Sequence, residues 1–423
     1  MAELIPAPAA LERRPGEPAP LGEVSYVPLS GGPESYRLTV AEGGAVTVAA
    51  ADDAGRARAA ATLRQLEGSS APLVIEDEPR YGWRGVMLDV ARHFFGVEDV
   101  LRFIDLAALY KLNVLHLHLT DDQGWRLQID SWPELTAAGA ATQVGGGPGG
   151  FYTHADYARI VAHATSHGIT VVPEIDVPGH VNAALVAYPE LGGGERPEPF
   201  TTWSSPGRSL DVGSEIALRF LGDVVSELVA VTPGDHIHLG GDEVEGMDHD
   251  AYTRFMWDAC TVVLRHGKTP VVWEEAGVAT LPPGTVVQHW SDAAPARAAA
   301  EQGLPLLMSP APHAYLDQKY DETTELGLGW AGAVEVRDAY DWDPAAVIDG
   351  ADVLGVEAPL WSETTETRSD VDYLVFPRLP ALAEVGWSAA RDWEDFRARL
   401  ATHGPLLERL GVNFHRSKQI DWP

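Results

Sequence analysis

Gly85-Val-Met-Leu-Asp-Val90 and Val114-Leu-His-Leu-His-Leu119 are short apolar runs separated by a helical pattern, Val97–Lys111. Both have the length and residue types of buried strands, and the segment between them has the apolar spacing of a helix. The alternation then repeats. Strand-like runs follow at Thr170–Ile175, His236–Leu239, Pro270–Trp273, Val286–Trp290, Leu304–Met308 and Val353–Glu357, with helical patterns at His154–His167, Ser214–Val231, His249–His266 and Ala293–Gln302. The intervals after the seventh and eighth runs are longer, and Val371–Leu382 and Trp393–Leu410 look helical within them. Eight such units over residues 81–423 predict an α/β fold, an eightfold β/α (TIM) barrel. A doubly wound open sheet is the alternative, but it normally carries a glycine-rich first turn, which Asp89-Val-Ala-Arg92 is not.

Residues 1–80 differ in texture. Five prolines punctuate the first twenty residues, short alternating runs follow at Ser35–Val40 and Ala45–Ala49, and Asp53–Leu66 reads as a helix with an arginine-rich face. This predicts a small α+β accessory domain, with Glu76-Asp-Glu-Pro79 as its boundary. The 423 residues carry 30 basic and 62 acidic side chains, a net charge of -32 that repels nucleic-acid phosphates and anionic membranes. No nucleic-acid or membrane partner is therefore expected, and the oligomeric state is not readable. Cys260 is the one cysteine, which excludes an internal disulfide and a cysteine-based metal site. The start, Met1-Ala-Glu-Leu-Ile-Pro-Ala-Pro8, has no basic region followed by an apolar one, so the expected location is the cytoplasm, or outside the cell if a signal once preceded it.

In a β/α barrel, chemistry sits at the C-terminal ends of the strands. Polar and aromatic residues gather there in this sequence: Asp89 and Arg92, Asp121 and Asp122, Asp176 and His180, Asp242 and Glu243, Trp273, Trp290, then Tyr315, Asp317 and Trp330, and finally Trp361 and Glu363. Gly240-Gly-Asp-Glu243 stands out among them. Two adjacent carboxylates at the end of a buried strand are poorly solvated and close together, and both effects favour keeping one protonated, as a general acid requires. Neighbouring strand residues point to opposite faces, so aiming both into one pocket needs the backbone freedom of the two glycines.

A lining of carboxylates, one arginine, one histidine and several tryptophans suits a sugar, whose ring faces pack on aromatics and whose hydroxyls bond to charged groups. A competing reading starts from His116-Leu-His118 and His236-Ile-His238, which are spaced as zinc ligands on a strand. Barrel amidohydrolases of that kind use a bridging lysine. None of the four lysines (Lys111, Lys268, Lys319 and Lys418) falls at a strand end facing the pocket, so these histidines read as interior residues. A sugar-binding protein with a vestigial site is the third possibility.

Together, Trp83-Arg-Gly-Val-Met-Leu-Asp-Val-Ala-Arg-His-Phe94, Leu117-His-Leu-Thr-Asp-Asp-Gln-Gly-Trp125, Pro173-Glu-Ile-Asp-Val-Pro-Gly-His180, His238-Leu-Gly-Gly-Asp-Glu243 and Gly355-Val-Glu-Ala-Pro-Leu-Trp-Ser-Glu363 resemble the β-N-acetylhexosaminidases of glycoside hydrolase family 20. The likeness runs from Tyr81 onward, and the preceding part is similar to the family's accessory domain but shorter than usual. The resemblance implies an exo-acting, retaining enzyme that removes terminal β-linked N-acetylglucosamine or N-acetylgalactosamine, as from chitooligosaccharides, with the substrate's own acetamide as nucleophile. It further implies Glu243 as general acid, Asp242 orienting the acetamide, and Tyr315 bonding the acetamide oxygen. Arg92, Asp121, Asp317 and Glu363 would bind hydroxyls, and Trp273, Trp290, Trp330 and Trp361 would enclose the sugar. His180, at the substrate, and Asp176, behind it, would support Glu243. No cofactor or metal is implied.

Overall fold

Residues 3–244 and 246–423 are described by a computed structural model. Eight parallel strands close into a barrel: β1 (Trp83–Asp89), β2 (Val114–His118), β3 (Thr170–Glu174), β4 (His236–His238), β5 (Thr269–Trp273), β6 (Val286–His289), β7 (Leu306–Met308) and β8 (Val353–Leu360). Each pairs with the next, and β8 closes on β1 from Gly355↔Trp83 to Leu360↔Leu88. Side chains alternate across each strand. On β2, Leu115 and Leu117 join the core beneath the outer helices, while Val114, His116 and His118 face the barrel interior.

The interior is layered. Trp83, Val114, Val172, Val271, Val286 and Leu307 form an apolar floor. Above it lies a fully buried polar layer. His116 Nδ1 meets Glu357 Oε1 at 2.8 Å and its Nε2 meets Glu174 Oε2 at 3.0 Å, while Gln288 Nε2 donates to Glu357 at 2.9 Å. Gly85 makes room for this layer, because a Cβ there would stand 2.3 Å from Glu357 Oε2.

Outer helices include α1 (Val97–Leu109), α2 (His154–Ser166), α3 (Glu215–Val231), α4 (His249–Arg265) and α5 (Ala293–Glu301). The pattern read as one helix over Val371–Leu382 is two helices, Arg368–Val375 and Arg378–Trp387. The break falls at Phe376-Pro377, where proline lacks the amide proton and crowds the preceding turn. Strand β8 runs three residues beyond the expected Glu357. Pro359 hid this extension, but it lies past the last pairing with β7, Met308↔Val356.

Ahead of the barrel, Ala10–Arg13, Leu73–Asp77, Tyr36–Val40, Val46–Ala50 and Val24–Pro28 form a five-stranded sheet in that spatial order, and the Asp53–Gln65 helix packs on it. The arginine-rich face of that helix is partly turned inward. Buried Arg58 pairs with Glu34 at 2.7 Å and donates to Leu112 O of the barrel at 2.9 Å. Among the described residues, no helix is long and apolar enough to cross a membrane.

Candidate active site

The exit of β4 shows how the backbone aims two neighbouring carboxylates at one place. Gly240 has φ +66° and Gly241 φ +96°. At Gly240 a Cβ would lie 1.8 Å from Asp176 Oδ1, so only glycine fits that turn. Gly241 N–H donates to the same Asp176 oxygen at 3.2 Å, and Gly240 O accepts from Trp273 N–H at 2.8 Å, tying the turn to the flanking strands. Two pocket residues also hold positive φ without being glycine, His180 at 52° and Glu243 at 48°. Such backbone strain concentrates where side-chain direction matters more than local stability.

At this end of the barrel a cavity of about 390 Å³ opens. Arg92, Asp121, His180, Asp242, Glu243, Trp273, Trp290, Tyr315, Asp317, Trp330, Trp361 and Glu363 all line it, contributed by the ends of all eight strands. Asp176 lies behind the wall, buried beneath Gly241. The aromatic side is continuous. Trp273 and Trp361 are 5.8 Å apart by ring centroids, Trp361 and Tyr315 6.4 Å, Tyr315 and Trp290 6.1 Å, and Trp330 stands edge-on to both Trp290 (5.7 Å) and Tyr315 (5.8 Å). Next to it, Arg92 Nη2 pairs with Asp121 Oδ2 at 2.8 Å while its guanidinium lies 4.8 Å over the Trp361 ring. Arg92 Nε, Asp242 Oδ1, Asp317 Oδ1 and Glu363 Oε2 are buried with no protein hydrogen-bond partner. Buried polar atoms are rarely left so, and four around one cavity, from the exits of four different strands, mark it as built for a polar ligand.

Electrostatics separate the two adjoining carboxylates. Burial pushes Asp242 up to about 6, assisted by the charges of Glu243 and Glu174 and opposed by His180. Glu243 is half exposed, and its contact with His180 (Nε2 to Oε2, 3.6 Å) holds it below the usual glutamate range despite partial burial. The upward push expected from adjacency and burial thus falls on Asp242 in the unliganded geometry, because the aspartate is the enclosed one, and at about 6 it still leaves Asp242 mostly ionised at neutral pH. His180 itself is raised: burial opposes its charge, but Asp121 (3.4 Å) and Asp242 (3.6 Å) outweigh burial at ion-pair rather than hydrogen-bond distance. Burial lifts Glu363 to about 7 against the pull of Arg92, and lifts Asp317 with help from Glu363.

Matching these observations, the model of the family described as "Glycosyl hydrolase family 20, catalytic domain" matches residues 81–253 and 245–390. The chain belongs to glycosyl hydrolase family 20. It is 51% identical over 411 residues to a β-N-acetylhexosaminidase of Cellulomonas fimi, covering 93% of this chain and 83% of that one. The GH20 β-N-acetylhexosaminidase of Streptomyces coelicolor A3(2) superposes with a TM-score of 0.95 at 41% identity, covering 99% of this chain and 98% of that one. A mutant β-hexosaminidase of Streptomyces plicatus, in complex with its product GlcNAc, also superposes at 0.95 and 41%, with 99% and 97% covered.

Several members of this family 20 site were not singled out from sequence. Trp203, Ser204, Ser205, Ser291 and Leu328 complete the lining, while Asp122, which the sequence did place at the end of β2, also lines the cavity and accepts from Ser205 Oγ (2.8 Å) and Asn182 N–H (3.0 Å). Trp203 sits in a long stretch without periodicity, where nothing local signals which end of the barrel it reaches. Beneath the cavity, Glu174 accepts from Trp273 Nε1 at 2.9 Å and also bonds His118, whose Nε2 meets Asp121 at 2.9 Å. One buried carboxylate therefore braces an aromatic wall and the Arg92 partner together. Glu275 accepts from Trp290 Nε1 at 3.1 Å and is pushed up to about 8 by burial and by Asp242. Its signal was present: Glu274-Glu275 is a second adjacent carboxyl pair at a strand end. The paired histidines considered as metal ligands lie below the cavity. Both His116 nitrogens meet carboxylates, His238 stacks on His116 at 4.6 Å, and His236 packs edge-on to Trp83 at the barrel floor.

Proposed function

We propose that this family 20 hydrolase is an exo-acting, retaining β-N-acetylhexosaminidase that releases terminal β-linked N-acetylglucosamine or N-acetylgalactosamine by substrate-assisted catalysis. The observation that carries the reading is the side-by-side placement of enclosed Asp242 and half-exposed Glu243 against an aromatic box closed by Tyr315. The small cavity, near the low end of the ~300–1,000 Å³ usual for ligand pockets, favours one terminal sugar over a long chain segment.

In this mechanism Glu243 gives its proton to the glycosidic oxygen as the C1–O bond breaks. The acetamide oxygen attacks C1 from the other face, and its nitrogen takes on positive charge beside Asp242, forming an oxazolinium ion. Glu243 then takes a proton from water, which adds to C1 and reopens the ring. Two displacements leave the β configuration unchanged. A bound sugar strips water from Glu243, and that desolvation raises its affinity for the proton it must donate. Tyr315 bonds the acetamide oxygen, Trp273, Trp290, Trp330 and Trp361 pack against the sugar, and Arg92, Asp121, Asp317 and Glu363 take its hydroxyls, supplying charge organised in advance of the reaction. His180 faces both carboxylates, and Asp176 supports the turn that carries them.

The test compares hydrolysis of nitrophenyl β-N-acetylglucosaminide with that of the plain β-glucoside, using wild type and Glu243→Gln. Cleavage of the acetamido sugar alone, with turnover lower by ~10²–10⁴ in the variant, is the expected result. Equal cleavage of both sugars would require a nucleophile from the enzyme and overturn substrate assistance. Binding of the sugar without cleavage would make the protein a sugar-binding module.

A further inference from the structure

On the outside of the barrel, remote in the fold from the strand ends that build the cavity, α1 and α2 run side by side. His163 and His167 are four residues apart and so share one face of α2, His167 closing the helix as its C-terminal cap. Asp105 faces them from α1. His163 Nε2 lies 2.9 Å and His167 Nε2 3.0 Å from the same oxygen, Asp105 Oδ1. These three donor atoms fall within 4.8 Å of one another. The side chains are 29%, 13% and 49% exposed, so the group is rooted in the surface with one side open.

We propose that Asp105, His163 and His167 form a binding site for a divalent transition-metal ion of the zinc class, with water completing the coordination. Two imidazole nitrogens and one carboxylate oxygen are the donor set that suits zinc, nickel or cobalt, and not the all-oxygen set of magnesium or calcium. Tetrahedral bonds of about 2.0–2.1 Å put donor atoms roughly 3.4 Å apart, so the ion enters by a few tenths of an ångström of opening. Each neutral ring then carries its proton on Nδ1 and presents the Nε2 lone pair. Asp105 supplies the negative charge.

The position gives the ion a structural consequence. Arg58, from the helix of the N-terminal sheet, donates to Leu112 O (2.9 Å) and His167 O (3.4 Å), just past the ends of α1 and α2. An ion that clamps α1 to α2 therefore stiffens the surface on which the N-terminal sheet docks, and stabilises the folded chain by binding it in preference to the unfolded one.

The test is calorimetric titration of ZnCl2 into metal-stripped wild type, Asp105→Asn and His163→Ala, with MgCl2 as a parallel titrant. One zinc equivalent on wild type, weakened about tenfold or more in either variant, and no comparable magnesium binding, is the expected result. Zinc should raise the Tm of wild type more than that of either variant, while turnover of the aryl glycoside stays the same with and without the ion. Asp105→Asn keeps the side-chain shape, so folding of at least one variant is secured, and the visible absorption of Co2+ bound to wild type reports tetrahedral imidazole ligation directly. No zinc uptake by wild type, or equal uptake by wild type and both variants, would overturn the proposal.

Discussion

Glu275 shows what a single buried carboxyl does to the molecule around it. It lies behind Trp290 and beside Asp242, and burial together with that neighbour pushes it up to about 8 from an ordinary value of 4.5. Because the raised value belongs to the folded state, the unfolded chain ionises first as pH rises past 4.5, and folding loses stability progressively until about pH 8. Glu275→Gln keeps an acceptor for the indole N–H and removes the titration. Denaturation at a series of pH values should find the variant level with wild type near pH 4 and increasingly more stable up to pH 8. The gain is about 1–3 kcal/mol, less than the full shift implies because Glu275 is not wholly enclosed. A constant difference across that range would remove Glu275 as the titrating group. The same physics divides Asp242 from Glu243: they are neighbours in sequence, yet one is enclosed and raised while the other meets water and His180 and is lowered.

At the scale of the element, the exit of β4 is decided by two glycines whose jobs differ from those of most glycines in the chain. Gly303 provides the comparison, since it also has positive φ (76°) but a Cβ there meets nothing within 4 Å. Gly303→Ala should cost about 1 kcal/mol of stability and leave turnover intact. Gly240→Ala carries the same backbone cost and adds a Cβ 1.8 Å from Asp176 Oδ1, so it should cost about 2–4 kcal/mol and lower kcat by displacing Asp176 and the carboxyl pair. Thermal melts and kinetics on both variants check this, and equal effects would mean that the Asp176 contact is unimportant. The strands were legible because an apolar run between turn residues is a local signal. The division of Val371–Leu382 into two helices and the hidden end of β8 were not, since proline's effect depends on which neighbouring backbone groups its missing proton would have served.

At the scale of the whole molecule, the N-terminal sheet and the barrel are joined by charges withdrawn from water. Lys111 is 1% exposed; its Nζ contacts Asp77 Oδ2 at 2.6 Å and Tyr36 Oη at 3.0 Å, and Trp387 Nε1 donates to the other Asp77 oxygen at 2.8 Å. Lys111→Met leaves Asp77 buried without its cation and should cost about 3–5 kcal/mol in denaturant unfolding. Adding Asp77→Asn should return part of that loss, and strict additivity of the two changes would show that the pair is not coupled. The sequence alone determined the eight β/α units, the direction of the strands and the polar and aromatic residues at their ends, because periodicity and strand termini are written over a few consecutive residues. Tertiary structure alone decided the rest: the register in which β8 closes on β1, that Glu174 and Glu275 stand behind the cavity wall, that Asp242 rather than Glu243 is the enclosed carboxyl, and that Lys111 locks the N-terminal sheet to the barrel. Burial and electrostatic neighbours are sums over residues far apart in the chain, and those sums exist only once the barrel has closed.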